Sequence, residues 1–147
     1  MTNIVNHLGF SFDSLLEMKD AGLVAASAAA QVGGSDKIAD VLMSFFQGAL
    51  VINVSAIEIA SNDELYRIIV QGSTTPGFDA GTIENLAELS LGATEVRPGA
   101  ALDSTAGRYH LFFSNLQDDV IYSFLRVYTN VSGAVATGIN YAAYIAK

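Results

Sequence analysis

Residues 118–130 read DDVIYSFLRVYTN, and the reading of the fold depends on which way their side chains point. In a strand, successive side chains alternate between two faces. One face then carries Val120, Tyr122, Phe124, Arg126 and Tyr128, the other Ile121, Ser123, Leu125, Val127 and Thr129. Both are apolar or aromatic apart from one arginine, whereas an antiparallel strand with one wet face alternates cleanly. The bulkier face is expected in the core of a sandwich, with Arg126 near its rim, snorkelling or paired. The face of Ile121, Leu125 and Val127 is then too apolar for open water and is expected to be covered by another protein chain.

The same period of two recurs on either side of this stretch. LVINVSAIEIA (residues 50–60) places Leu50, Ile52 and Val54 on one face and Ile57 and Ile59 on the other. That phase slip at Ser55-Ala56 predicts a bulge or a strand that changes sheets. SNDE (61–64) is a turn, LYRIIVQ (65–71) a strand, and STTPGFDAG (73–81) a long loop bent at Pro76-Gly77. ENLAELSLG (84–92) alternates again, and Arg97-Pro98-Gly99 sets Pro and Gly where a type II turn needs them. RYHLFF (108–113) and INYAAYIA (139–146) complete about seven or eight short strands, the pattern of an all-β sandwich or barrel.

Residues 1–36 differ. MTNIVNHLGFSF has no period, DSLLEMKDAG allows a short helix capped by Asp13 or Ser11, and AGLVAASAAAQVGG is bracketed by glycines without a charged face. The chain therefore divides into an N-terminal arm (1–36), mostly extended, and a β-sandwich domain (37–147).

Composition limits the function classes. The chain has 147 residues, is 51% hydrophobic and only 15% charged, against about 25% charged in an ordinary soluble domain. So little charge on a domain of this size points either to surfaces covered by partners, the favoured reading, or to a surface coated with Gly, Ser, Thr and Asn. The net charge of −8 repels phosphate backbones and speaks against nucleic-acid binding. There is no cysteine, hence no disulfide, thiolate nucleophile or Cys-based metal site. AGLVAASAAA follows Asp13, Glu17 and Asp20, the wrong flank for a signal peptide. No apolar run approaches the roughly 20 residues that span a bilayer.

Chemical motifs are equally sparse. His7 and His110 are far apart and without metal-ligand spacing. No G-x-S-x-G elbow and no Gly-rich phosphate loop occurs. Asp118-Asp119 and Asp63-Glu64 fall where turns are predicted and read as solvated turn residues rather than a Ca²⁺ site. Neither a cofactor nor a metal is expected.

Several segments taken together carry a resemblance. GALVINVSAIEIASNDELYRIIVQGS (48–73) is followed by LAELSLGATEVRPG (86–99), then GRYHLFFSN and a closing hairpin through NYAAYIAK, after the opening KDAGLVAASAAAQVGGS. This order resembles the capsid decoration, or cement, proteins of tailed bacteriophages. The resemblance implies a jelly-roll-like antiparallel β-sandwich on the outside of an icosahedral head. It implies a non-enzymatic role: homo-oligomers, commonly dimers, bridge major capsid subunits and reinforce the shell. It maps no functional residue one by one. From the residues themselves, Phe10, Phe12, Leu15, Leu16, Pro76 and Phe78 are expected at the capsid, and Ile121, Leu125, Val127, Tyr141 and Tyr144 between copies, as homodimer or trimer. The location implied is the virion exterior, after synthesis in the host cytoplasm, with no membrane or nucleic-acid partner. The alternative is a carbohydrate- or host-receptor-binding β-sandwich of a phage particle.

Overall fold

Alternation of period two becomes long antiparallel strands, and the aperiodic N-terminal stretch becomes a chain of short ones. The computed structural model describes residues 14–146. After a 3-10 turn at Ser14–Leu16 come β1 (Glu17–Lys19), β2 (Leu23–Val24), β3 (Ala28–Ala29), β4 (Gln31–Val32), β5 (Ser35–Asp36) and β6 (Ala39–Asp40). The body follows as β7 (Gln47–Ile57), β8 (Leu65–Ser73), β9 (Ile83–Gly92), β10 (Gly107–Ser114), β11 (Leu116–Gln117), β12 (Val120–Ile121), β13 (Phe124–Ser132) and β14 (Ile139–Ala146).

Two antiparallel sheets face each other. The first runs β1-β14-β7-β10 with β2 also on β14, and the second β3-β13-β8-β9 with β6 also on β13. The chain crosses between sheets at β7–β8, β9–β10 and β13–β14, and stays within one sheet at the β8–β9 hairpin. The N-terminal pieces supply one edge of each sheet, β1 and β2 along β14 and β3 and β6 along β13. The protein is an all-β sandwich.

The core lies between the sheets. Leu50, Ile52 and Val54 of β7 and Ile139, Tyr141, Ala143 and Ile145 of β14 meet Tyr66, Ile68 and Val70 of β8 and Leu125 and Val127 of β13. Burying each of the Leu, Ile and Val side chains among them contributes about 1.5–3 kcal/mol. Thr129 and Tyr141 hydrogen-bond through their hydroxyls across this layer, so both polar groups are satisfied. The predicted phase slip is a bulge: Asn140 faces Ala56 and Tyr141 faces Val54, leaving Ser55 as the extra residue. The Arg97–Ala100 turn closes with an Ala100 N–H donating to the Arg97 carbonyl at 3.0 Å, with Gly99 at φ +80°, as the Pro-Gly pair predicts.

Two expectations are corrected. DDVIYSFLRVYTN is not one strand: β12 ends at Ile121, the ladder breaks at Tyr122-Ser123, and β13 starts at Phe124. Its faces are also exchanged. Leu125 (0% exposed) and Val127 (1%) point into the core with Thr129, whereas Phe124, Arg126 and Tyr128 lie half-buried on the outer face. From β13 the space between the sheets, already occupied by Tyr66 and Tyr141, takes the compact branched residues. The long aromatic and cationic ones cover the sheet from outside, where Arg126 stacks 4.3 Å from the Phe78 ring and 5.5 Å from the Tyr128 ring and donates from Nε to Gln71 Oε1 at 2.9 Å. Arg126 is thus paired as expected, on the opposite face.

The described part of the arm is extended, as expected, but stitched onto the sandwich. β1 and β2 pair with β14 of one sheet and β3 with β13 of the other, where β6, just past the arm, also pairs. Met18 is 1% exposed in the main core. Lys19 is buried and donates from Nζ to the carbonyls of Asp20, Gly22 and Tyr141, over the Tyr141 ring. Its burial outweighs the nearby Asp20 charge and lowers its pKa.

Candidate docking surface

Antiparallel wiring puts loops 41–46, 74–82 and 115–123 at one end of the sandwich and loops 58–64, 93–106 and 133–138 at the other. The second end is organised by carboxylates. Glu58 accepts backbone N–H bonds from Ala136, Thr137 and Gly138 and a hydroxyl bond from Thr137, and these backbone bonds hold its pKa below the usual range. Glu64 accepts the N–H groups of Ala60, Ser61 and Asp63. Its burial pushes the pKa up, but the backbone donors together outweigh it and the net direction is down. Each carboxylate pins one loop, and both are occupied by the chain's own donors.

The first end is apolar. Leu42 is 78% exposed, Met43 75%, Phe45 57%, Leu116 42% and Val120 40%. Leu42 and Met43 line one depression with Asp40, Thr74, Ile121, Ser123 and Phe124. Leu116 stands opposite Ile121 in the β11–β12 ladder, so both share a face. The opposite face of that hairpin turns to β9, where Gln117 Nε2 donates to Glu84 Oε1 at 2.9 Å.

Two tight turns form the tips. Ser44 N–H closes a turn on the Val41 carbonyl at 3.1 Å, with Leu42 at φ +55° and Met43 at φ +58°. The two-residue loop of the β11–β12 hairpin has Asp118 at φ +50° and Asp119 at φ +61°. Positive φ at both central positions is the type I′ condition. Asp118-Asp119 is therefore an exposed turn, as the sequence predicts.

Asn115, completely buried, fixes one tip to the other. Its Oδ1 accepts the Phe46 N–H at 2.7 Å, and its Nδ2 donates to the carbonyls of Ser44 (2.8 Å) and Tyr122 (3.1 Å). Its own backbone pairs with Phe46 O and Tyr122 N. Below, Phe46 stacks on Phe113 with centroids 5.8 Å apart. The Val41 N–H donates to Ser123 O at 2.8 Å, and Leu42 N–H to Asp40 Oδ1 at 2.8 Å. The exposed apolar groups thus sit on a backbone held from beneath by satisfied hydrogen bonds. The third loop is knitted by its own hydroxyls: Ser73 bonds Thr82 at 2.8 Å, and Thr75 Oγ1 donates to Asp79 Oδ2 at 3.0 Å.

Of the residues expected between copies, Leu125, Val127 and Tyr141 are buried inside the protomer and have no side chain to offer a partner. Tyr144 is buried with Val51 and Ala146 in a small cluster on the other face of the first sheet. Ile121 alone lies at the apolar end. Of the capsid-contact residues, Phe10 and Phe12 lie outside the described residues. Leu15 is exposed, Leu16 is partly buried against the core, and Pro76 is exposed. Phe78 is buried beneath the Arg126 guanidinium and is not a contact.

His7 lies outside the described residues, and His110 is on β10 with an exposed side chain. Among the described residues no group of three or more His, Asp or Glu is placed to hold a metal ion, and no helix is long and apolar enough to cross a membrane. No protein-family model matches the chain, and no curated protein matches it significantly.

Proposed function

We propose that this protein is a structural component of a phage virion that decorates the capsid exterior and stabilises the shell by bridging major capsid subunits. The observation that carries the docking role is the group of exposed apolar side chains on hydrogen-bonded tips at one end of the sandwich. An apolar centre within a polar rim is how protein interfaces are built, and a pre-ordered one binds with little ordering cost. The capsid as partner rests on the sequence resemblance. A chain that binds only the assembled lattice stabilises it by mass action. Self-association on the capsid belongs to this reading, through residues other than Leu125, Val127 and Tyr141.

Mixing the purified chain with expanded capsids that lack it tests the reading. Saturable co-sedimentation together with a higher capsid disruption temperature is expected. Absence of both at micromolar chain would overturn it. For the glycan-binding alternative, Tyr66, Tyr141 and Tyr144 are buried and have no ring to offer, which leaves the half-buried Tyr109, Tyr122 and Tyr128.

A further inference from the structure

The Leu42-Met43 turn is built against local preference. A type I′ turn favours Asn and Gly at its central positions, because a side chain with a Cβ is crowded in the left-handed region. Leu42 and Met43 both occupy that region and both remain largely in water. The neighbouring Asp118-Asp119 turn uses residues that tolerate it. Backbone bonds from Ser44, Val41 and Leu42 itself hold the first turn, and none needs either side chain. Neither conformation nor core packing accounts for a large apolar pair here, whereas binding does.

The charges around the pair indicate what covers it. Residues 40–46 and 112–121 contain Asp40, Asp118 and Asp119 and no Lys or Arg. Asp40 lines the same depression as the pair, and the two aspartates form the tip of the adjoining hairpin. In a two-fold contact with a second copy, these carboxylates would meet one another on chains that each carry −8. An anionic membrane would repel them in the same way.

We propose that Leu42 and Met43 form a docking knob that seats in an apolar socket rimmed by Lys and Arg on the partner protein. The knob rests on the capsid reading for the partner's identity, which makes the socket part of the capsid surface. It further assigns the contact as heterologous, with oppositely charged rims that steer association.

The test compares wild type, L42N/M43G and D118N/D119N in binding to expanded capsids at low and high salt. Each variant is also followed by thermal unfolding, sedimentation velocity and flotation with phosphatidylserine vesicles. L42N/M43G restores the turn's preferred residues, so its melting midpoint should rise by about 3 °C. Its capsid affinity should fall by about 100-fold, the loss expected from removing two large apolar contacts. D118N/D119N, which keeps the turn, should bind more weakly and with less salt dependence. Undiminished binding by L42N/M43G would overturn the knob while leaving the capsid reading intact. Failure of wild type to bind capsids would overturn the capsid reading and the socket with it. A lower midpoint for L42N/M43G would remove the premise of a turn built against preference. A wild-type dimer or vesicle binding that L42N/M43G abolishes would assign the knob to a second copy or a membrane. Unchanged salt dependence in D118N/D119N would overturn the basic rim.

Discussion

Replacing Asn115 with alanine should loosen the apolar end while leaving both sheets intact. The buried amide makes three side-chain hydrogen bonds, to Phe46 N, Ser44 O and Tyr122 O. At about 1 kcal/mol each, their loss costs about 3 kcal/mol, and the orphaned Phe46 N–H adds to it. For a chain near 150 residues this lowers the thermal midpoint by about 6–12 °C. Calorimetry measures the midpoint, and amide exchange at Phe46 reports whether the anchor beneath the Leu42-Met43 turn has opened. Asn115→Asp separates the hydrogen-bond argument from simple loss of volume. Its carboxylate keeps an acceptor for Phe46 N–H but faces two carbonyls, so its folded pKa lies above its unfolded one. The deficit relative to wild type is therefore full at neutral pH and shrinks as pH falls towards 4. A midpoint for N115A within about 2 °C of wild type, with Phe46 exchanging as before, would refute the assignment of Asn115 as the clamp.

Three further outcomes rest on buried titratable groups and on one crowded glycine. Burial, with Glu58 and Glu64 adding to it, pushes the Tyr66 phenol from 10.0 up to about 12. Between those values the unfolded chain releases a proton that the folded one keeps, so stability falls by about 1.4 kcal/mol per pH unit from this group. Tyr141 acts in the same direction, and Lys19, its pKa lowered, in the opposite one up to 10.5. Urea unfolding between pH 9 and pH 11 should show a shallower fall for Tyr66→Phe than for wild type, and equal slopes would contradict the burial argument. In acid, Glu64 has a lowered pKa, so the stability it supplies is present above 4.5 and is lost as pH falls through the folded value. Glu64→Gln should accordingly be less stable than wild type at pH 7, with the gap closing in acid. Gly138 has φ +90°, and a Cβ there would meet the Val24 carbonyl of the N-terminal strap. Gly138→Ala should cost about 2–4 kcal/mol and raise amide exchange at β2 first, an order that exchange mass spectrometry checks.

The long strands were legible because burial on one face writes a period of two into ten or so residues. β7, β8, β9, β10 and β14 lie where the alternation puts them, and the Ser55 bulge appeared as a slip in phase. The arm carried no such signal, since pairing two residues at a time with β14 and β13 leaves nothing to repeat. Side-chain size misled the reading of β13, because bulk was equated with burial and the outer face proved to need cover for Phe78 and the sheet. Asp118-Asp119 was legible as a turn, but the break that divides β12 from β13 falls at Tyr122-Ser123, which carries no turn-forming Gly, Pro or Asn to announce it. The apolar end was harder to see. Leu42-Met43 contains none of the residues that announce a turn, and Asn115 looks like a surface loop residue until three segments are seen to meet on its amide.

The proposed role sets this chain on the outside of a capsid with its apolar end against the shell. An electron-microscopy map of the native particle tests it most directly. The account predicts sandwich-shaped density on the outer surface, with the 41–46 and 115–123 loops contacting major capsid subunits and the Glu58 and Glu64 end pointing to solvent. Particles without this chain, or with the Leu42-Met43 turn facing solvent in every copy, would contradict it.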